Sequence, residues 1–310
     1  MNVNEPDRIP SRNLVAAALT AVATAACAHA PPSAATPGPA PSVPSHSGYA
    51  DVDGLHLYYE VHGTGAPLVL IHGAFGATGM FGPNLDLLGA HRQVIAVDMQ
   101  AHGRTADIDR PLSVEAMADD VAALIASLGF EAADVMGYSM GGLVAMQTAF
   151  RHPERVRRLI VVSSPFARSG WYPEMVAGMD QMGPAAAEPM KQSPMYAMYA
   201  AVAPRPDDWP RLVTKLGLAV KLDYDWSQAV AALKQPTLLV VGDADGVRLA
   251  HAVEFFRLLG GGLHDAGWDG SARPASRLAI LPGATHYDIF ASPALAAAVE
   301  PFLAAADAGR

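Results

Sequence analysis

The sequence predicts an α/β fold: a mostly parallel, eight-stranded sheet flanked by helices, with an inserted helical cap. Three observations lead there. Short, unbroken runs of Val, Leu and Ile recur along the body, as at residues 68–71 and 156–162, and strands of that kind are buried on both faces of a parallel sheet. The runs alternate with segments whose apolar residues repeat at helical spacing. One stretch, residues 166–230, breaks the alternation and contains no strong strand.

The elements follow in order. Residues 49–53 and 55–62 flank Asp53-Gly54, a tight-turn dipeptide, and read as a hairpin. Residues 68–71 and 93–97 are short strands. Residues 113–128 place Val114, Met117, Val121, Leu124, Ile125 and Leu128 on one helical face, with Ser113 as N-cap and Gly129 as stop. A strand at 133–137, a helix at 140–150 and a strand at 156–162 come next. Beyond the insertion, Pro236 leads into a strand at 237–241, and a helix at 247–259 is closed by Gly260-Gly261-Gly262. The last strand is 276–281 and the last helix 293–305. The insertion holds Trp171, Trp209, Trp226 and Met175, Met179, Met182, Met190, Met195 and Met198. This composition reads both as a helical unit with its own small core and as a cap whose apolar underside adapts to irregular ligands.

The amino-terminal segment has a different texture. Arg8 and Arg12 precede an uncharged apolar run over residues 14–26, the length of a signal-peptide core and too short to span a bilayer. Residues 1–30 are therefore expected to direct export, to the periplasm or the envelope, and residues 31–47, rich in Pro, Ser and Ala, to form an extended tether. The only cysteine, Cys27, ends Thr24-Ala25-Ala26-Cys27, which resembles a bacterial lipoprotein box with Thr24 where Leu or Val is usual. Lipidation there would tether the protein to a membrane; cleavage after Ala28 or Ala30 would discard Cys27. The globular domain is expected over 48–310.

Composition narrows the function. The formal net charge is −9, which repels phosphate backbones and argues against nucleic acid as a partner. A single cysteine allows no intramolecular disulfide and no cysteine-based metal site. No Gly-x-Gly-x-x-Gly follows a strand, so neither a dinucleotide nor any other cofactor is expected.

Chemistry concentrates at Gly137-Tyr138-Ser139-Met140-Gly141-Gly142. Glycines two before and two after a serine permit a sharp strand-to-helix turn that strains the serine backbone and exposes its hydroxyl. The following helix aims its first N–H groups and positive dipole end at the same spot.

From Tyr49 onward the chain resembles an α/β-hydrolase. The resemblance rests on that elbow and on four further stretches in family order. His72-Gly73-Ala74-Phe75-Gly76 follows the third strand, where the family has its oxyanion loop. Asp98-Met99-Gln100-Ala101-His102-Gly103-Arg104-Thr105 is similar to the family's Asp-x-x-Gly-His-Gly-x-Ser, with Ala101 and Thr105 departing from it. Gly242-Asp243-Ala244-Asp245 and Pro282-Gly283-Ala284-Thr285-His286 follow the strands that usually deliver the acid and the histidine. The resemblance implies Ser139 as nucleophile, His286 as its base and Asp245 as the orienting acid. Asp243 and Asp288 are rivals for the acid. His72 and His102 sit at corners expected to brace loops, and His56, His62, His91, His152, His251 and His264 at surface or helix-end positions. The oxyanion donors implied are the backbone N–H of Met140 and that of either Ala74 or Phe75.

The reaction so implied is hydrolysis of a carboxylic ester or lactone, a small molecule, through an acyl-enzyme, with the rate falling as acid protonates His286. Residues 104–112, 254–262 and a loop at 263–275 are similar to a bacterial subgroup that includes serine-dependent macrolide esterases. A cofactor-free acyltransferase or perhydrolase would use the same three residues with another acceptor. A binding protein on the same scaffold would leave Ser139 unreactive.

Overall fold

The computed structural model describes residues 45–305. The expected signal segment, Cys27 and the tether up to residue 44 lie outside them. The sheet has eight strands: β1 (His46–Val52), β2 (Leu55–His62), β3 (Pro67–Ile71), β4 (Gln93–Val97), β5 (Ala133–Tyr138), β6 (Val156–Val162), β7 (Thr237–Ala244) and β8 (Arg277–Thr285). Their spatial order is β1-β2-β4-β3-β5-β6-β7-β8. β1 pairs antiparallel with β2, and β2 with β4. From β4 to β8 every pairing is parallel. β1 starts at His46, two residues inside the stretch read as tether.

The continuous apolar strands have a simple cause. In β3, Val69 and Ile71 join one buried cluster, and Leu68 and Leu70 join another on the opposite face. The alternation of a strand is present, but both faces are core, so it leaves no mark in the sequence. On one face lie α1 (Asn84–Gly89), through Leu85 and Leu88, and the C-terminal helix Pro293–Leu303, through Leu295, Val299 and Phe302. On the other lie α2 (Val114–Ser127) and α3 (Met140–Arg151), through Met117, Val121, Val144 and Met146. α1 has only six residues and left no periodic signal. Ser113 does cap α2: its hydroxyl accepts the Ala116 N–H at 3.1 Å. Ser113→Ala should cost about 1 kcal/mol in a denaturant titration.

Between β6 and β7 the chain forms α4 (Pro173–Gln181), α5 (Ala187–Met190), α6 (Pro194–Val202), α7 (Trp209–Ala219) and α8 (Ser227–Ala232). The sequence suggested a separate core here. Instead Trp209, Leu212, Val213, Leu216 and Tyr199 belong to the same buried cluster as Val69 and Ile71. Two helices follow β7 and β8: α9 (Leu249–Leu258) and α10, the C-terminal helix. β8 also runs further than expected, through Pro282 to Thr285, because Gly242 and Ala244 of β7 continue the pairing across an irregularity.

Candidate active site

Parallel strands bring their C-terminal ends to one edge of a sheet, and the candidate residues meet there. β5 ends at Tyr138 and α3 begins at Met140, so Ser139 alone makes the turn. Its φ is 53°, in the left-handed region. For a non-glycine residue that conformation costs on the order of 1–3 kcal/mol and persists only where neighbours enforce it. The glycines explain how. A Cβ at Gly137 would lie 1.9 Å from the Gly141 carbonyl oxygen, and one at Gly141 would lie 2.2 Å from that of Ile71. Strand, elbow and helix pack closer than any side chain allows, and Ser139 is left partly accessible while its neighbours are buried.

Residues far apart in sequence converge on that hydroxyl. Ser139 Oγ lies 3.1 Å from His286 Nε2, and His286 Nδ1 lies 3.0 Å from Asp245 Oδ1. His286 directly follows β8 and Asp245 directly follows β7. The Asp245 carboxylate also accepts Val247 N–H at 3.1 Å on Oδ1, and Gly242 N–H at 3.0 Å and the Ser163 hydroxyl at 2.5 Å on Oδ2. Burial pushes this carboxyl up, but the hydrogen bonds from His286, Ser163 and Gly242 together hold it below its ordinary value. An ionised carboxylate is therefore available to fix the Nδ1–H tautomer of His286.

The rival carboxylates are employed elsewhere. Asp243 is exposed and accepts Gly283 N–H at 2.8 Å. Asp288 accepts Thr285 N–H at 2.7 Å. Both stitch the end of β8. On the other side of Ser139, the candidate donor Met140 is the first residue of α3, where N–H groups have no intrahelical acceptor. Ala74 and Phe75 are the middle residues of a turn closed by Gly76 N–H to the Gly73 carbonyl at 3.0 Å.

The model for the alpha/beta hydrolase fold matches residues 66–194, which hold the 73–76 turn and the elbow. Solved structures carry the likeness in fold over 83% to 86% of the chain.

The chain has the α/β-hydrolase fold.

Its relatives vary in activity. A putative carbamate hydrolase RutD of Azorhizobium caulinodans is 40% identical over 119 residues, which is 38% of this chain and 43% of that protein. The match thus spans less than half of that relative. A pimeloyl-[acyl-carrier protein] methyl ester esterase of Aliivibrio salmonicida is 29% identical over 224 residues, 64% of this chain and 83% of that protein. Among solved structures, the enol-lactonase of Burkholderia xenovorans superposes with a TM-score of 0.63 at 23% identity, covering 83% of this chain and 100% of that one. The N-acyl homoserine lactonase AidH, with N-butanoyl homoserine bound, gives 0.64 at 22% identity over 86% and 100%.

Several residues around Ser139, His286 and Asp245 had no signal in the sequence. Ser163, just after β6, holds φ 50° with its N–H on the Val240 carbonyl at 2.8 Å, which aims its hydroxyl at Asp245. The Tyr138 hydroxyl donates to the His286 carbonyl, and burial drives that phenol's pKa up. Trp171 and Tyr287 stand edge-on to the His286 ring, each with centroids 5.5 Å away. Tyr287 also reaches Met175 of α4, its hydroxyl 3.2 Å from Sδ. Apart from the Tyr287–His286 pair, which are neighbours in sequence, these contacts cross the fold, so no linear pattern carries them.

The bracing histidines behave as expected. Met99 N–H donates to His72 Nε2 at 3.0 Å, and His72 Nδ1 lies 2.7 Å from the Gly73 carbonyl. His102 Nδ1 lies 2.8 Å from the Gln100 carbonyl. His62, read as a surface residue, is buried beside Glu60, because β2 is covered on both sides. His251 is also buried, stacked on Phe166 at 4.0 Å and accepting its N–H at 3.2 Å.

Burial makes these histidines an acid liability. It lowers His72 to about 3, and His102 and His251 to about 4. The unfolded chain takes up protons near the ordinary value of 6.5. Between those values the unfolded state binds more protons, so stability falls as the pH drops below 6.5. Asp98 opposes this: burial raises it to about 6 against the N–H groups of Arg104 and Thr78, so its folded form gains a proton first. Three losses against one gain leave a slope of about 3 kcal/mol per pH unit at its steepest. Thermal midpoints should fall steeply from pH 6.5 to 4.5; a flat profile would contradict the neutral burial of these rings.

Proposed function

We propose that this chain hydrolyses a carboxylic ester or lactone through an acyl-enzyme formed on Ser139. The observation that carries the reading is the hydrogen-bonded line Ser139 Oγ–His286 Nε2, His286 Nδ1–Asp245 Oδ1, starting from a strained serine at a helix N-terminus. In the reaction, Ser139 Oγ attacks the substrate carbonyl carbon while its proton passes to His286 Nε2. Asp245 holds the ring in register and balances the imidazolium charge. The carbonyl oxygen becomes an oxyanion facing Met140 N–H and the 73–76 turn. As the bond to the alkoxy oxygen breaks, His286 returns its proton to the leaving alcohol. Water then adds to the acyl-enzyme by the same route, freeing the acid and restoring Ser139. In a lactone the leaving alcohol remains part of the opened product.

The ester and lactone chemistry of the similar proteins supports the substrate class. A macrolactone is the narrower reading. It draws on the cap: Met175, Met179, Met182, Met190 and Met198 are all half-buried, a surface able to repack around a bulky apolar ring. Export, drawn from the first thirty residues, would place the enzyme where such a compound arrives.

The test is mass spectrometry of short aryl esters, acyl-homoserine lactones and macrolide lactones incubated with the protein, beside Ser139→Ala. Addition of one water, absent with Ser139→Ala, is the expected result, and the substrate that gains it names the class. Transfer to an added alcohol or peroxide in preference to water would turn the reading to an acyltransferase or perhydrolase. A Ser139 inert to both the panel and an organophosphorus probe would end it.

A further inference from the structure

The cap and the oxyanion turn share one contact. Phe75, at the third position of the 73–76 turn, has φ 60°. A positive φ there belongs to the type II turn, which normally takes glycine or asparagine. The Phe75 ring is buried against Trp209 of α7, with centroids 5.2 Å apart. Trp209 is fully enclosed: Tyr196 and Tyr199 both pack at 5.3 Å, and its indole N–H donates to the Ala187 carbonyl at 2.9 Å.

The helix that carries Trp209 is pinned at its other face. Lys215 Nζ donates to Asp107 Oδ1 at 2.9 Å, the Ile108 carbonyl at 2.9 Å and the Arg110 carbonyl at 2.7 Å. Arg211 Nε meets Asp107 Oδ2 at 2.5 Å. Asp107 is buried and Lys215 mostly covered, so that pair is largely shielded from the solvent screening that weakens surface ion pairs, while Arg211 adds its contact from a more exposed position. Together these contacts fasten α7 to the loop after β4.

We propose that Trp209 is a positioning residue for the oxyanion turn: seated on Phe75 and held by the Asp107–Lys215–Arg211 latch, it keeps the 73–76 turn in the form that presents N–H groups to the substrate. The inference rests on the hydrolase reading above. Type I and type II turns share the same closing hydrogen bond and differ by a flip of the central peptide. Here that peptide joins Ala74 to Phe75. Without the indole, Phe75 relaxes to a negative φ, and the Ala74 carbonyl oxygen turns to where the Phe75 N–H had pointed. A carbonyl oxygen facing a developing oxyanion opposes the reaction, whichever N–H of the turn donates. Cap position is thereby coupled to the rate of the chemical step as well as to substrate fit.

A double-mutant cycle on an ester that the wild type cleaves tests this. Trp209→Leu should lower kcat about tenfold and leave KM within about twofold, with weaker inhibition by a trifluoromethyl ketone analogue in proportion. Trp209→Phe, which keeps a ring on Phe75, should retain kcat within about threefold. In a Phe75→Gly background, where a positive φ is free, Trp209→Leu should change kcat less than about twofold. Additive effects, or a change confined to KM, would overturn the proposal. Should Trp209→Leu lack a cooperative thermal transition, Arg211→Gln with Lys215→Gln gives the same cycle with the Trp209 core intact. A wild type that cleaves no ester overturns the hydrolase reading itself, and this proposal with it.

Discussion

Asp245→Asn is expected to lower kcat by about ten-thousandfold at neutral pH, the scale set by removing the orienting acid from a serine–histidine pair. The geometry says why an isosteric change is so severe. Four donors converge on the two carboxylate oxygens: His286 Nδ1–H, Val247 N–H, Ser163 O–H and Gly242 N–H. An amide brings two hydrogens of its own into that ring. Ser163 alone can turn its hydroxyl to accept one. The other must face a backbone N–H or force His286 into the wrong tautomer, leaving Nε2 protonated and unable to take the Ser139 proton. Ser163→Ala removes a single donor to an ionised group and should cost about tenfold. Asp243→Asn and Asp288→Asn, which lose the charge but keep an oxygen to accept the loop N–H groups, should stay within about threefold. Steady-state kinetics on the four variants decides the matter; equal losses at Asp243 and Asp245 would sink the assignment.

The second large effect is on folding. Gly137→Ala puts a methyl group 1.9 Å from the Gly141 carbonyl oxygen and 2.7 Å from Gly142 N. Every obstructing atom is backbone, held on one side by β5 and on the other by α3, so no rotamer change relieves the clash. The strand and helix must separate, at a cost of about 3 kcal/mol or more, and the thermal midpoint should fall by about 6–12 °C. Gly178 in α4 is the control. Nothing lies within 4 Å of a Cβ there, and alanine should raise helix stability by about 1 kcal/mol. Paired melting curves measure both. A Gly137→Ala protein that melts with the wild type would mean that the elbow is looser than its packing indicates.

The legible part of this protein is the part where local physics and global structure agree. The β3, β5 and β6 runs are apolar because both faces are buried, and the elbow is visible because only glycine tolerates the approach of α3. Asp245 and His286 stand out in the sequence because each follows a strand in a recognisable loop, and the structure brings their side chains to 3.0 Å. Ser163 could not: a serine with positive φ looks like any other, and its partner lies 82 residues away. Trp171 belongs to the same class, meeting His286 only in three dimensions. The cap was legible as helical but not as part of the main core. Aromatic and methionine content says that a segment buries something, not what it buries it against. α1 was too short for a helical period to register.

The position of the last strand has a consequence for timing. β3, β5, the elbow and β6 are all complete by Val162. Asp245 and His286 arrive on β7 and β8, the outermost strands on that side of the sheet. Ser139 and His286 are thus separated by 147 residues, and the serine hydroxyl is expected to gain its imidazole partner only once the β7–β8 edge has docked. Refolding from denaturant should show the same order, with helical signal returning first and reactivity toward an organophosphorus probe returning in a later phase set by closure of the β7–β8 edge.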